Sequence, residues 1–293
     1  MNPSAEPTLS VVIAVLDGGP LLSTQLEGLV AQVGPTPFEV IICDNGSSDD
    51  SVDRARGFDD RLDLHVLDAS ARRGQTFARN AGAARARGSF LVFLDQDDLV
   101  DPGYLAALTT ALDAHDFVAA RMETEFLNPA SGSQVRSLTQ VSTLPTDPVP
   151  WGYGCTLGIL RSQFEALGGF DTNLYVAAED IDLCIRAAAA GIELVYVPEA
   201  ILHYRFPTAH RALFRQGRRY GIGHAAVARK HRLPAPRARP WSRELAGATK
   251  LFVLARQPGQ RGRASFVLGR KFGQVEGWVR YRRSWRDGHV VRA

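Results

Sequence analysis

Residues 90–98 read FLVFLDQDD, an uninterrupted apolar run that ends abruptly in acidic residues. Five consecutive apolar residues, two of them aromatic, are typical of a strand whose two faces are both covered. Such strands occur in parallel sheets that carry helices on both sides. The acidic turn then lies at the carboxyl end of its strand, where open α/β sheets bind their ligands.

Three further apolar runs predict the neighbouring strands. They cover residues 9–15 (LSVVIAV), 38–43 (FEVIIC) and 62–67 (LDLHVL). Between the first two, Leu22, Leu26 and Leu29 recur on one helical face, and a helix of small residues that ends at Gly88 precedes the fourth strand. This alternation of strands and helices predicts an α/β fold with a doubly wound, mostly parallel sheet.

Weaker patterns extend the prediction along the chain. They predict helices at residues 104–114, 161–167 and 178–190, and strands at residues 116–126 and 193–197. Residues 128–150 are rich in Ser, Thr and Pro without periodicity, which predicts a surface loop. Beyond His203, three basic helices are predicted at 205–231, 241–256 and 263–285. The chain is therefore expected to consist of an α/β domain (1–204) and a helical extension (205–293).

The net charge of +3 conceals a strong asymmetry. Between Tyr204 and Ala293 there are 22 Lys and Arg against three acidic residues, whereas residues 1–203 contain 12 basic and 28 acidic residues. This distribution indicates an acidic part joined to a basic extension with an anionic partner. The extension is either a solvated arginine-rich surface or a contact surface for anionic lipid head groups.

The N-terminal sequence, the lengths of the apolar stretches and the cysteines indicate a cytoplasmic location. The N-terminus lacks the basic and apolar regions of a signal peptide, and no apolar stretch approaches the roughly 20 residues that span a bilayer. Cys43, Cys155 and Cys184 are far apart and show no metal-ligand spacing. We therefore expect buried thiols and a cytoplasmic protein.

Acidic residues follow three of the predicted strands, at Asp17, at Asp44 and at Asp95-Gln96-Asp97. Carboxylates on one rim repel each other unless a cation offsets their charge, and Mn²⁺ or Mg²⁺ that bridges two phosphates suits such a rim. The alternative is that Asp-rich turns only end strands. Arg73, Arg79 and Asn80 precede the fourth strand, and arginine is suited to phosphate contact.

A second acidic cluster, at Glu179, Asp180 and Asp182, opens the helix predicted at 178–190. Acidic residues in a first helical turn are favoured by the helix dipole, which is the structural alternative. Because Ile181 and Cys184 are expected to face the core, the three carboxylates are expected on the open side. A carboxylate there can act as a general base. His203, where the chain leaves the sheet, is a candidate metal or phosphate contact.

These motifs, in this order, resemble those of a family 2 glycosyltransferase of the GT-A fold over residues 9–204. The resemblance is carried by LSVVIAVLDG, EVIICDNGSSDDS, ARNAGAARARGSFLVFLDQDD, LGGFD and AAEDIDLCIRAAAAGIELVYVPEAILHY. It implies an inverting sugar transfer from a nucleoside-diphosphate donor without a covalent intermediate.

The resemblance also implies roles for particular residues. Asp180 is the expected base, with Glu179 and Asp182 as further candidates, and the expected metal ligands are Asp95, Asp97 and His203. The expected nucleotide-binding residues are Ala14, Leu16, Asp17, Asp44, Arg73, Arg79, Asn80, Asp95 and Gln96. Candidate contacts for the donor or acceptor sugar are Trp151, Tyr153 and Gly154. The base bound by Asp44 is usually uracil in this family, so UDP is the first candidate nucleotide. Leu16 replaces a frequent aromatic residue and cannot stack on a base, and Asp17 replaces a frequent Asn, so dTDP and GDP are the next candidates.

The expected acceptor is a hydroxyl of a cell-surface glycan or of a lipid-linked glycan, reached from the inner face of the cell membrane. A polyprenyl-phosphate glycosyltransferase is the nearest alternative. A sugar-nucleotide pyrophosphorylase is disfavoured because residues 16–20 (LDGGP) supply no cation. A polyanion-binding protein is a third alternative, but the acidic balance of residues 1–203 argues against a nucleic-acid partner.

Overall fold

The computed structural model describes residues 7–34, 36–128, 149–174, 176–233, 256–257 and 259–287, with side chains up to residue 281. Its sheet is built from β1 (Leu9–Val15), β2 (Phe38–Asp44), β3 (Leu64–Asp68), β4 (Phe90–Asp95), β5 (Leu99–Val100), β6 (Phe117–Glu123), β7 (Leu157–Leu160) and β8 (Leu194–His203). The strand order is β3-β2-β1-β4-β7-β6-β8-β5.

The strands predicted from the apolar runs form the parallel part of this sheet. β1 lies between β2 and β4 and is parallel to both, and β2 pairs in parallel with β3. β7 is antiparallel to β4 and to β6, whereas β6 and β8 are parallel. The predicted α/β class and the mostly parallel sheet are confirmed. β5 and β7 were not predicted from the sequence, because strands of two and four residues are too short to show a period.

The helices are α1 (Gly19–Val30), α2 (Ser51–Arg56), α3 (Gln75–Ala83), α4 (Tyr104–Leu112), α5 (Arg161–Ala166), α6 (Glu179–Ala189), α7 (His210–Lys230) and α8 (Arg261–Asp287). The last strand, β8, runs on to His203, beyond the end predicted for it at residue 197. Most of the helix predicted at 241–256 and of the loop predicted at 128–150 lies outside the described residues.

The core forms where the apolar runs of the sheet meet α3 and α5. α3 approaches the sheet so closely that a Cβ at Gly82 would lie 2.4 Å from Cys43 Sγ and 2.6 Å from Val12 Cγ1, so only glycine fits there. On the same side, Phe93 is packed between Phe164 and Phe170, with ring centroids 5.2 Å and 4.9 Å away. The carboxyl ends of β1, β2 and β4 are thus supported by a close-packed layer.

The described residues form two compact units. The first contains the sheet and α1 to α6, and it comprises the residues up to Glu123, residues 149–174 and residues 179–205. The second contains α7 and α8 together with residues 124–128 and 176–178. Among the described residues, no helix combines the length and apolar content needed to cross a membrane.

Within the second unit, α7 and α8 touch through their backbones. A Cβ at Gly269 would lie 2.0 Å from the carbonyl oxygen of Phe214, and a Cβ at Gly273 would lie 2.0 Å from that of Arg218. These contacts advance by four residues along both helices, so α7 and α8 run in the same direction. Only glycine permits such an approach, because any side chain would overlap the facing backbone.

Gly273→Ala is therefore expected to separate α7 from α8. Its methyl group would collide with a backbone carbonyl, which cannot move aside as a side chain can, and overpacking of this kind typically costs about 1–3 kcal/mol. Hydrogen exchange of the α7 and α8 amides measures the effect. Gly103→Ala is the matched control, because a Cβ at Gly103 meets nothing within 4 Å. Equal protection of α7 and α8 in both variants would contradict this account of the packing.

Candidate active site

The acidic residues that follow the strands come together at one edge of the sheet. In the β1–β2 ladder Val15 pairs with Asp44, and in the β1–β4 ladder Ala14 pairs with Asp95. β1 therefore lies between the two strands that carry these carboxylates. The sequence-based expectation that the strand-end acids share one rim follows from this parallel register.

The loop after β1 is held by the loops of its two neighbours. The backbone nitrogen of Leu16 donates to Gln96 Oε1 (2.8 Å), and Gln96 Nε2 donates back to the carbonyl of Leu16 (3.2 Å). Asp17 adopts a positive φ of 51°, and its Oδ1 accepts bonds from Ser48 N (2.7 Å) and Ser48 Oγ (3.1 Å). These hydrogen bonds from Ser48 lower the pKa of Asp17. Asp17 and Gln96 thus shape the rim, while the Leu16 side chain is exposed on it.

Asn45, to which the sequence analysis gave no role, fixes the segment that carries Arg73. Its Nδ2 donates to the carbonyls of Ala69 (2.6 Å) and Arg72 (2.8 Å), and its Oδ1 accepts a bond from Gly74 N (2.7 Å). Asn45 is buried. Arg73 is exposed beside the loop after β2, where a cation can meet a phosphate.

Arg79 lies inside the protein, bridging two carboxylates. The residue is 1% exposed. Its Nη2 donates to Asp95 Oδ1 (2.6 Å), and its Nη1 donates to Glu179 Oε1 (3.2 Å). Asp95 Oδ1 also accepts a bond from Gln75 Nε2 (2.7 Å). Arg79 therefore links the carboxylate at the end of β4 to the acidic pair that opens α6.

The turn after β4 concentrates carboxyl groups away from water. Burial, together with repulsion from Asp95, raises the pKa of Asp97 to about 6. Burial also raises the pKa of Asp98 well above its usual range. Asp98 Oδ1 accepts a bond from Arg205 N (2.9 Å), while its buried Oδ2 has no hydrogen-bond partner among the described residues. One ligand atom each of Asp95, Asp98 and Cys155 lie within 4.8 Å of one another.

These donors fit a hard divalent cation. Carboxylate oxygens are preferred by Mg²⁺ and Mn²⁺, and this turn offers several of them close together, including the Asp98 Oδ2 that has no hydrogen-bond partner among the described residues. The thiol of Cys155 fits less well, because burial raises its pKa well above its usual range and keeps it protonated. Of the expected ligands on this turn, Asp95 is a member of the group of close ligand atoms, whereas Asp97 is not.

His203, the third expected metal ligand, lies between two carboxylates. Its Nδ1 is 2.8 Å from Glu123 Oε2, and its Nε2 is 2.9 Å from Asp101 Oδ1. Both ring nitrogens thus have hydrogen-bond partners in the described structure. Metal binding by His203 would require one of these contacts to be exchanged for the ion.

The acidic pair at the start of α6 lies against a glycine turn. Asp180 Oδ2 accepts a bond from Gly154 N (3.0 Å), and its Oδ1 accepts one from Ile181 N (2.8 Å). Gly154 also lies against Arg79, because a Cβ there would be 2.7 Å from Nη1. Trp151 and Tyr153 pack edge to face on the same turn, with ring centroids 5.1 Å apart.

Burial governs the protonation of this acidic pair. Burial, together with repulsion from the neighbouring Asp180, raises the pKa of Glu179 to about 7, and Arg79 opposes this rise. Burial also raises the pKa of Asp180, and the backbone bonds from Ile181 and Gly154 oppose that rise. A raised pKa makes Asp180 a stronger base at neutral pH than an exposed aspartate.

Several residues expected at the open site are enclosed by the protein. Arg79, Glu179 and Asp182 are buried, and Asn80 is half-buried. The expectation that Asp182 lies on the open side is wrong, because its side chain is fully buried and its Oδ2 accepts a bond from Arg186 Nε (2.8 Å). Asn80 donates to the carbonyl of Phe170 (2.8 Å) and accepts a bond from Phe170 N (2.9 Å). Both hold the structure around the Gly168-Gly169 turn, since Arg186 also donates to the carbonyls of Leu167 and Gly169.

Family models and curated relatives show which proteins this chain is similar to. A model described as glycosyl transferase family 2 matches residues 10–155, and one described as glycosyl transferase family group 2 matches residues 90–268. Validoxylamine A glucosyltransferase from Streptomyces hygroscopicus subsp. limoneus is 36% identical over 230 residues, which cover 66% of this chain and 51% of that protein.

Solved structures show the same fold. The mannosyltransferase PcManGT from Pyrobaculum calidifontis, in complex with GDP-Man and Mn²⁺, has a TM-score of 0.61 and 20% identity, covering 98% of this chain and 78% of that one. S. aureus TarS in complex with UDP-GlcNAc has a TM-score of 0.51 and 15% identity, covering 97% and 93%. At these identities the likeness concerns the fold.

The sheet, its helices and these structural neighbours define a protein of the GT-A fold, which confirms the expected fold. The chain belongs to the family 2 glycosyltransferases. It spans about half the length of the curated relatives that it matches.

Proposed function

We propose that this chain transfers a sugar, with inversion, from a nucleoside-diphosphate donor to a hydroxyl group of an acceptor. The observation that carries the proposal is the buried bridge through Arg79. It joins Asp95, on the donor side of the rim, to Glu179, whose neighbour Asp180 is the proposed base. One rigid connection thus sets the distance between the leaving diphosphate and the attacking hydroxyl.

The donor is assigned to the rim formed by the loops after β1 and β2. Asp44 is the proposed contact for the nucleotide base, and its Oδ1 accepts a hydrogen bond from Ser47 N (3.0 Å). The exposed side chain of Leu16 is proposed to pack against the face of that base. Arg73 and the backbone around Ala14 complete the proposed nucleotide site. UDP is the first candidate nucleotide. Of the two proteins of similar fold, PcManGT was solved with GDP-Man and TarS with UDP-GlcNAc.

A divalent ion, Mn²⁺ or Mg²⁺, is proposed at the turn after β4, where Asp95, Asp97 and Asp98 would hold it. When bound, such an ion neutralises the charge that develops on the departing diphosphate. The protein itself holds Asp95 in place through Arg79 Nη2 and Gln75 Nε2. These two donors orient the carboxylate before any ligand arrives.

The acceptor is assigned to the side of α6. The backbone nitrogens of Gly154 and Ile181 each donate to one oxygen of Asp180, which fixes the plane of the carboxylate. Asp180 then takes the proton of the acceptor hydroxyl as the oxygen attacks the anomeric carbon opposite the diphosphate, and the configuration inverts. Trp151 and Tyr153 offer aromatic faces to a sugar ring.

The acceptor is proposed to be a cell-surface glycan or a lipid-linked glycan, extended at the inner face of the membrane. We assign residues 1–204 to the transferase domain and residues 205–293 to a basic extension that contacts anionic lipid. The support is the charge of this part of the chain, which has 22 basic residues against three acidic ones from Tyr204 onward.

A thermal-shift screen tests the donor assignment. UDP-, dTDP- and GDP-sugars are added with Mn²⁺ or with a chelator, and one nucleotide is expected to stabilise the protein by about 2.7 kcal/mol at a hundredfold excess over its Kd. Asp97→Asn should remove the part of the shift that depends on Mn²⁺. Asp113→Asn, at an exposed position away from the rim, is the matched control. If no nucleotide shifts the unfolding temperature, the proposal is wrong.

A further inference from the structure

Helix α8 has two apolar faces. Its inner face packs on α7 through Phe266 and the glycines at 269, 273 and 277. Its opposite face carries Leu268, Phe272, Val275 and Val279, which we name the outer stripe. Their exposed fractions are 43%, 59%, 65% and 70%. The spacings of four, three and four residues place all four side chains on one side of the helix.

The closest contacts between α7 and α8 lie at Gly269 and Gly273, on the other side of the helix from the outer stripe. Of the stripe, Phe272 reaches α7 through Phe214, with ring centroids 6.0 Å apart, and it is still 59% exposed. Exposed apolar residues are ordinary when they are scattered singly. Four large ones in a row over three turns form a contiguous surface, and such surfaces mark sites of contact with a partner or a membrane.

The charges on these two helices identify the partner. Cationic side chains are exposed on both, at Arg211, Arg215, Arg218, Arg219, Lys230, Arg261, Arg263, Arg270 and Arg280. The one acidic side chain described on α7 and α8, Glu276, accepts two bonds of 2.6 Å from Arg218. Arg261 lies seven residues before Leu268, two turns earlier on the same side of the helix.

We propose that the outer stripe of α8 docks on an anionic membrane. The helix lies in the plane of the head groups, the stripe enters the acyl boundary, and the surrounding cations meet lipid phosphates. A second copy of the chain fits less well, because pairing two such faces would bring like charges together. The outer stripe is thus the surface of the membrane contact that was proposed above. It contains none of the residues proposed for donor binding or sugar transfer, so membrane binding can be tested separately from the reaction.

Co-sedimentation of the full chain with lipid vesicles tests the proposal. Vesicles of phosphatidylglycerol and phosphatidylcholine are compared with vesicles of phosphatidylcholine alone. The variant Leu268→Gln/Phe272→Gln/Val275→Gln/Val279→Gln retains all charges and the helix propensity, and it is expected to lower the partition coefficient on anionic vesicles by about ten-fold or more. Val33→Gln, at a 61% exposed valine of the first unit, is the matched control and should bind as the unaltered chain does.

A second variant tests the role of charge. Arg211→Gln/Arg215→Gln is expected to weaken binding to anionic vesicles and to reduce its dependence on salt. Donor-induced thermal shifts should be the same in all variants, so failure of the membrane proposal and failure of the proposed function are distinguishable. Unaltered vesicle binding by the glutamine variant would overturn the inference. Absence of vesicle binding by the unaltered chain would also overturn it. Sedimentation equilibrium would then show whether the stripe mediates self-association, and hydrogen exchange would show whether residues 234–255 cover it.

Discussion

Arg79→Ala is expected to cost about 3–5 kcal/mol of folding free energy, the range for removing one partner of a buried ion pair. Arg79 is 1% exposed and bonds to both Asp95 and Glu179, so its loss leaves the buried Glu179 and the partly exposed Asp95 without this cation. Chemical denaturation measures the effect. Arg79→Lys should recover only part of the loss, because one ammonium group cannot reproduce the two directed contacts of the guanidinium.

The pH dependence of the destabilisation caused by Arg79→Ala tests the electrostatic role of Arg79. The pKa of Glu179 is raised to about 7 in the folded protein, so its ionisation opposes folding as pH rises from the usual carboxylate range through 7. Arg79 reduces that penalty. The destabilisation caused by Arg79→Ala should therefore be larger at pH 8 than at pH 5, where Glu179 is protonated.

Arg85→Ala is the control for this prediction, because Arg85 lies just beyond the same helix and is exposed. It should leave stability unchanged at both pH values. Equal destabilisation of the Arg79 variant at pH 5 and pH 8 would show that the ionisation of Glu179 does not explain the effect.

Asp180→Asn is expected to lower kcat by about 10²- to 10⁴-fold, the usual contribution of a general base. Asparagine has nearly the same volume and can still accept a backbone hydrogen bond, but it cannot take up the proton of the acceptor. Donor binding should persist, because the proposed nucleotide contacts lie on the loops after β1 and β2. Single-turnover kinetics and a donor-induced thermal shift measure the two properties separately.

The same substitution distinguishes the two acceptor classes. A phosphate acceptor is already ionised and needs no base, so activity that survives Asp180→Asn would favour a polyprenyl-phosphate glycosyltransferase over the hydroxyl-directed enzyme proposed above. With a hydroxyl acceptor, the rate of the unaltered chain should fall as pH falls through the raised pKa of Asp180, because only the ionised carboxylate accepts a proton. Asp113→Asn should change neither the rate nor its pH profile.

The central strands and the rim could be predicted because both depend on local patterns. Continuous apolar runs indicate strands covered on both faces, and β1, β2 and β4 lie within one residue of the predicted bounds. Parallel strands bring their carboxyl ends to one edge, so the sequence alone places Asp44 and Asp95 on a common rim. β7 and β5 were missed because two to four residues carry no measurable period.

The partners of the charged residues could not be predicted in this way. Asp182 and Asp180 look equivalent in the sequence, yet one is buried against Arg186 and the other bonds to the turn at Gly154. Likewise Arg79 resembles the other arginines of its segment, and only the structure shows that it is enclosed between Asp95 and Glu179. Pairings between residues far apart in the chain depend on how the chain packs, and local periodicity contains no information about them.

The sequence by itself determined the α/β class, the acidic rim and the charge asymmetry, because apolar runs, strand-end acids and counts of ionisable groups are properties of short stretches or of composition. Only the tertiary structure decided which acidic and basic groups meet, and which side of α8 is covered. The pattern of α8 contains two apolar faces, and helical periodicity treats them alike. Glycine contacts with α7 cover one face and leave Leu268, Phe272, Val275 and Val279 exposed.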